Sequence, residues 1–450
     1  MLNVLLINPP QKHYKKSAGF SSYFPLGLLY IAAAVKEICN LKILDCLITD
    51  FAKEERGNYI IYGTPFARIA ELVREFKPQV VGITIPFSAQ SEMAKILSDL
   101  CKRINPELIV VFGGPDASVR YEKLLTEKAC DLCVVGEGEA TFFQLLKGIQ
   151  ERTGYESIPG VAFKKGERII YTPRDFTEEL DRLAYPAFDL IDVKEYLNNA
   201  YLYQSRSVIS KDSISVITSR GCPYQCIFCS ARFTMGRKFR PHSAAYVVQH
   251  IKYLVETYGI RKFHFEDGNA TLDRERYEQI LDGIIGHQLE IKWDIPDGIR
   301  ADTLDEKLLR KMKTAGCVDV TIGIESGNTR VLNEIIKKNT SLEKVMTIAK
   351  TCAALELQLN AFYVIGFPGE TLEEIGETID LALDLYGKYQ VIPYLFLATP
   401  LYGTELYEIC RNNGIIMEEP TDEQLSTGTF LFGLILHSAT PEIRSPFVHS

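Results

Sequence analysis

Residues 213–229 read SISVITSRGCPYQCIFC, and this stretch decides the fold of the C-terminal half. Ser213–Thr218 is a short strand that runs into Ser219-Arg220-Gly221. Cys222, Cys226 and Cys229 then follow within eight residues. Three thiolates on one loop can wrap one face of a cubane. Soft thiolate ligands select iron–sulfur clusters or zinc. Zinc needs a fourth ligand, and His242, thirteen residues past Cys229, makes a Cys3His site the alternative.

Outward from the loop, strands and helices alternate. Strands are expected at Ser213–Thr218, Lys262–Glu266, Ile291–Ile295, Asp319–Gly323, Gln358–Val364 and Ile392–Leu397. Helices are expected near 243–258, 273–286, 304–315, 341–354 and 371–387. This pattern predicts a partial (β/α)6 TIM-like barrel with its site at the strand C-termini. Those ends carry polar or glycine clusters: Glu266-Asp267-Asn269, then Asp297, Arg300 and Asp302, then Glu325-Ser326, then Gly366-Phe367-Pro368-Gly369-Glu370.

The N-terminal half alternates in the same way. Strands are expected at Asn3–Ile7, Leu41–Asp45, Val80–Ile85, Leu108–Gly113 and Leu132–Val135. Helices are expected at Leu26–Ile38, Thr64–Glu75, Ser88–Ile104, Tyr121–Lys128 and Glu139–Gly148. The expected fold is a Rossmann-like, doubly wound parallel sheet, whose ligand sits beyond the strand C-termini at the switch point. Asn8-Pro9-Pro10, Thr84 with Ser88, Gly113-Gly114-Pro115 and Gly136-Glu137-Gly138-Glu139 fall at those ends. Glycines there let a backbone approach a bulky ligand.

The expected division is 1–148 for the first domain, 149–205 for a connector, 206–400 for the barrel and 401–450 for a C-terminal extension. The connector holds a hairpin around Lys165-Gly166. The extension caps the barrel bottom or forms a small lid. His13 and Tyr14 are expected in a solvated loop. Cys130 and Cys133, though a CxxC, are expected to pack, as are His264, Cys317, Cys352 and Cys410. Tyr224, inside the cysteine loop, faces substrate or packs on the barrel.

Composition narrows the function class. The chain has 450 residues, 46 % hydrophobic and 24 % charged, with net charge −8 and no basic stripe, so nucleic acid is not an expected partner. No apolar run reaches the roughly 18–20 residues that span a bilayer, and the N-terminus lacks the basic start of a signal peptide. Eleven cysteines without a disulfide spacing pattern fit a reducing cytoplasm.

CxxxCxxC after a strand, with Phe228 before the third cysteine, resembles the cluster loop of the radical S-adenosylmethionine (SAM) superfamily. INPP, PLGLLYIAA, FGGP and VVGEGE, in this order, resemble the cobalamin-binding domain found before many such barrels. The DxHxxG signature, whose His ligates cobalt in other cobalamin proteins, is absent. The resemblance implies a 4Fe–4S cluster on Cys222, Cys226 and Cys229, whose open iron is chelated by SAM. It implies cofactor contacts from Phe228, Glu266 or Asp267 (methionine ammonium), Arg300 (carboxylate), Glu325 with Ser326 (ribose) and Glu370 (near adenine). On the cobalamin side it implies Thr84, Ser88, Gly113, Gly114, Gly136, Glu137, Gly138 and Glu139.

The function implied is a cobalamin-dependent radical SAM methyltransferase, supplied by an external one-electron reductant. It moves a methyl group from SAM via methylcobalamin to an unactivated carbon. A protein side chain, such as glutamine or arginine of methyl-coenzyme M reductase, is one acceptor class. A cyclase or ring-contracting enzyme, or a non-catalytic cobalamin sensor, is the alternative.

Overall fold

The computed structural model describes residues 1–15, 20, 22–174, 176–199 and 212–427. The first half contains β1 (Asn3–Asn8), β2 (Gln11–Tyr14), β3 (Asn40–Asp45), β4 (Ala52–Arg56), β5 (Tyr59–Gly63), β6 (Val80–Thr84), β7 (Ile109–Gly113), β8 (Leu132–Val134), β9 (Val161–Lys165) and β10 (Arg168–Tyr171). Its helices are α1 (Leu26–Val35), α2 (Phe66–Phe76), α3 (Ser91–Ile104), α4 (Pro115–Thr126) and α5 (Glu139–Glu151). The main sheet has the order β10-β9-β8-β7-β6-β1-β3, parallel from β8 to β3.

Near-continuous apolar runs form its central strands because helices cover both faces. Leu5 and Ile7 of β1 enter one core layer with Ile69, Val73 and Leu97 of α2 and α3. Val4 and Leu6 enter the other with Leu28, Ala32 and Leu145 of α1 and α5. α1 is apolar on nearly all sides for a further reason. Its Leu26 and Leu29 reach past the sheet into the core of the second half, beside Phe24, Phe188 and Tyr196.

The second half contains α6 (Val193–Leu197), β11 (Ser213–Val216), β12 (Ser219–Arg220), α7 (Ala231–Met235), β13 (Arg240–Pro241), α8 (Ala244–Tyr258), β14 (Lys262–Phe265), α9 (Arg274–Gly286), β15 (Lys292–Ile299), α10 (Glu306–Thr314), β16 (Cys317–Glu325), α11 (Leu342–Ala354), β17 (Gln358–Ile365), α12 (Leu372–Tyr389), β18 (Ile392–Leu397), α13 (Glu405–Asn412) and α14 (Asp422–Thr427). The order β11-β14-β15-β16-β17-β18, all parallel, gives the six-stranded partial barrel that the alternation predicts. Caps fix the helix starts: Thr371 and Glu374 form a reciprocal capping box on α12.

Three expectations need correction. His13 and Tyr14 lie on β2, in an antiparallel sheet of order β2-β5-β4, not in a loop. The His13 ring packs edge-on against Phe20 and Tyr62. The charged, exposed strand AKEER (β4) hid this sheet from a pattern search. The hairpin at Lys165-Gly166 forms, but β9 pairs antiparallel with β8 and extends the first sheet. Of the two roles expected for the extension, a cap on the barrel bottom or a small lid, its described part does not take the first: α14 lies against Ser88–Gln90 and β2 of the first half. Residues 428–450 and the expected connector–barrel junction near 205 lie outside the described residues. Among the described residues no helix is long and apolar enough to cross a membrane.

Candidate active site between the two sheets

A cavity of about 670 Å³ opens at the C-terminal ends of the first sheet and is lined on its other side by residues of the barrel. Asn8 and Thr84 line it where the chain order reverses between β1 and β6, the expected switch point. Gly113, Gly114, Gly136 and Gly138 line it too. Gly114 has φ +93 and Gly136 φ +80, so these turns need glycine. A Cβ on Gly114 would stand 2.9 Å from Thr84 Oγ1. The barrel contributes Ser215, Ile217, Arg220, Glu266 and Asp297. Backbone without side chains on one wall, facing polar groups on the other, fits a large flat cofactor sandwiched between the halves. Ser88 is displaced from this role, because its hydroxyl donates to Asp116 Oδ1 at 2.5 Å.

The cysteine loop begins at the short pair β12–β13, where Arg220 faces Arg240. Ile227 anchors it from inside: its N–H donates to the Ile336 carbonyl, and its own carbonyl accepts from Leu406 N–H. Cys222, Cys226 and Cys229 are free thiols, and Cys229 is exposed. Burial pushes the Cys226 thiol up to about 11, opposed by Lys338 and Arg300. His242, the alternative zinc ligand, is directed elsewhere: its Nδ1 lies 3.1 Å from Asp181 and its ring stacks on Tyr246. Phe228 packs 6.0 Å from Phe367 in the Gly366–Gly369 turn.

The strand ends sort the remaining candidates. Asp267 is fully buried and accepts from Thr218 N–H, Thr218 Oγ1 (3.0 Å) and Ser219 Oγ (2.5 Å). It ties down the turn entering the cysteine loop and has no oxygen facing the cavity. Glu266, which accepts from Ser215 Oγ at 2.8 Å, lines the cavity instead. Ser326 is likewise structural: its hydroxyl is paired with Thr378 and accepts from Asn328 N–H. Arg300 lies 3.9 Å over the Tyr224 ring, giving that residue its place, and pairs with Asp302. Glu370 Oε2 closes its own turn by accepting from Gly366 and Phe367 N–H.

Glu325 has φ +70 at a register shift of β16, a left-handed backbone that a Cβ-bearing residue adopts at a cost. Its Oε1 accepts from Lys338 Nζ at 2.6 Å, with both side chains 8 % exposed. Lysine is seldom buried unless paired. Lys338 escaped the sequence reading because nothing in KKNT says which lysine turns inward. Several buried atoms at these ends lack partners among the described residues: Arg300 Nη1, Glu370 Oε1 and both polar atoms of Asn269. Buried groups of this kind are normally satisfied. A zwitterionic, hydroxyl-bearing cosubstrate such as SAM would satisfy them.

Glu137 and Glu139 line the cavity, with their carboxylates engaged by arginines. Glu137 takes Arg240 at 2.5 and 3.0 Å, and Glu139 takes Arg220 at 2.6 Å. His264 is core, held between Asp294 and Ser213, and Cys130 packs against Cys133 with sulfurs 3.5 Å apart.

Residues 216–382 match the radical SAM superfamily, and residues 20–146 match the B12 binding domain. An uncharacterised methyltransferase of Pyrococcus horikoshii is 32 % identical over 419 residues, 93 % of this chain and 85 % of the relative. Cytidylyl-2-hydroxyethylphosphonate methyltransferase of Streptomyces wedmorensis is 29 % identical over 465 residues, 96 % of this chain and 85 % of that one. The same fold occurs in the radical SAM methyltransferase TsrM of Kitasatospora setae, solved with cobalamin and a 4Fe–4S cluster bound. There the TM-score is 0.71 at 18 % identity, over 93 % of this chain and 80 % of that chain. The chain belongs to the cobalamin-dependent radical S-adenosylmethionine methyltransferase family.

Proposed function

We propose that this enzyme moves the methyl group of SAM, by way of cobalamin, to an unactivated carbon of an acceptor admitted to the cavity between the sheets. The observation that carries this reading is the shared wall. Glycine-rich strand ends of the first sheet and Glu266, Asp297 and Arg220 of the barrel face one space, and the cysteine loop starts two residues past Arg220. When bound, the cluster on Cys222, Cys226 and Cys229 would supply one-electron chemistry, and a corrin in the cavity would supply a methyl carrier.

The chain's own residues bind and orient. Cys222, Cys226 and Cys229 hold three irons. Glu266 receives the methionine ammonium, a carboxylate–ammonium contact strengthened by charge. Arg300 and Lys338, both electrostatically felt by Cys226, supply the positive charge for the carboxylate. Glu325 meets the ribose with its second oxygen. Gly113, Gly114, Gly136 and Gly138 admit the corrin, with Thr84 at its edge. Phe24, Leu26 and Phe112 give the cavity apolar walls that keep water from a reactive radical. For the acceptor, a glutamine or arginine side chain of a protein such as methyl-coenzyme M reductase stands beside a nucleotide-linked phosphonate as a class to try.

Anaerobic purification with cluster reconstitution tests the reading. A brown protein with about four irons per chain is expected, losing them on Cys→Ala substitution at 222, 226 or 229, together with a corrin visible spectrum. Label from methyl-deuterated SAM should then reach one acceptor class. Zinc in place of iron sinks the reading; iron without corrin affinity sinks the cobalamin route.

A further inference from the structure

We propose that Glu137 and Glu139 act, with Arg220 and Arg240, as a buried clamp that fixes the cysteine loop against the cobalamin-side strand ends and so sets the distance between the two cofactors. The inference rests on the preceding reading for what those cofactors are. Arg220 and Arg240 face each other at the base of the loop that carries all three cysteines. Both reach across to the Gly136–Glu139 turn at the end of β8.

Glu137 is the centre. Its Oε1 accepts from Arg240 Nη2 at 2.5 Å, and its Oε2 accepts from Arg240 Nη1 at 3.0 Å and from Thr177 N–H at 3.3 Å. Arg220 Nη1 lies 3.5 Å from it while Nη2 holds Glu139. Arg240 also donates to the Met235 carbonyl inside the loop and to the Thr177 carbonyl. Arg174 folds over Gly136 and donates to the Glu137 carbonyl. Three separate segments therefore converge on one carboxylate. The four clamp side chains are between 1 and 8 % exposed.

Buried ion pairs of this kind add little net stability, since desolvation offsets attraction. What they enforce is one arrangement: a shifted loop would strand an unpaired charge out of water. The arrangement matters here because Glu137, Glu139 and Arg220 line the cavity, while Arg220 and Arg240 pair at the base of the cluster loop. A displacement of about 1 Å between reacting groups can cost roughly a hundredfold in rate. The four side chains are positioning residues.

The test uses the holoenzyme reduced so that the cluster and cob(II)alamin are both paramagnetic, with pulsed EPR reporting the distance between the two spins. The neutral pair variants, Glu139→Gln with Arg220→Gln and Glu137→Gln with Arg240→Gln, each remove one carboxylate and one guanidinium, so the charge of the clamp itself stays balanced. They should keep iron and corrin while the distance distribution widens beyond that of the wild-type enzyme. Cofactor-loaded neutral variants with the wild-type distribution would overturn the clamp. So would loss of a cofactor in both neutral variants, since a clamp acts on spacing and not on occupancy. Absence of the paired signal in the wild-type enzyme would instead overturn the functional reading, and the clamp with it.

Discussion

Two neighbouring carboxylates at the end of β14 should behave in opposite ways. In Asp267→Ala, three buried donors lose their acceptor: Thr218 N–H, Thr218 Oγ1 and Ser219 Oγ. Thr218 is 0 % and Ser219 2 % exposed, so bulk water does not replace the acceptor. Each stranded donor costs about 1–3 kcal/mol. The carboxylate's own desolvation, which raises its pKa against its hydrogen bonds, offsets part of the loss. A net cost of about 3–5 kcal/mol follows, or a Tm lower by roughly 6–20 °C for a domain of this size. Glu266→Gln keeps an acceptor for Ser215 Oγ and should move Tm by no more than about 2 °C. Its expected loss is in SAM affinity, about tenfold or more, as one charge-assisted contact disappears. Calorimetry of the unfolding transition and titration of SAM into the reconstituted enzyme give both numbers. The division of roles fails if Asp267→Ala retains the wild-type Tm and loses SAM, or if Glu266→Gln binds SAM with unchanged affinity.

Three further outcomes can be checked. Gly114→Ala forces a Cβ into a left-handed backbone 2.9 Å from Thr84 Oγ1 and should destabilise by about 1–3 kcal/mol. Gly113→Ala meets no protein atom within 4 Å and should leave Tm alone, weakening only corrin binding in a spectral titration. The acid limb of stability carries His250. Burial lowers its pKa from 6.5 to about 3, and its ring stacks on Tyr185 at 4.4 Å. Between these pKa values the unfolded chain binds a proton that the folded chain does not. This contribution is therefore complete above pH 6.5 and is lost as pH falls, by about 3 kcal/mol at pH 4. His250→Phe should reduce the slope of urea-derived stability against pH between 6.5 and 4 by about one proton; an unchanged slope refutes it.

Much of this protein is fixed by its sequence. Period and punctuation place β18 at Ile392–Leu397 and open α5 at Glu139, as observed. Local spacing alone puts Cys222, Cys226 and Cys229 on one loop after β11, because those residues are near neighbours however the chain folds. The glycines at 113, 114, 136 and 138 are legible for the same reason: strand ends of a doubly wound sheet converge on one edge.

The tertiary structure decides which polar side chain does which work, since direction depends on partners distant in sequence. Glu266 and Asp267 are adjacent, yet the strand's alternation turns one to the cavity and the other onto Thr218 and Ser219. Glu137 and Glu139 carry an acidic turn suited to a cofactor, but Arg220 and Arg240, some hundred residues on, take both carboxylates. Lys338 becomes buried only because Glu325, thirteen residues earlier, waits on a bulged strand. Pattern and spacing are local quantities that one chain segment carries by itself. The pairing of buried charges is a property of the assembled interior, where an unpaired charge is too costly to remain.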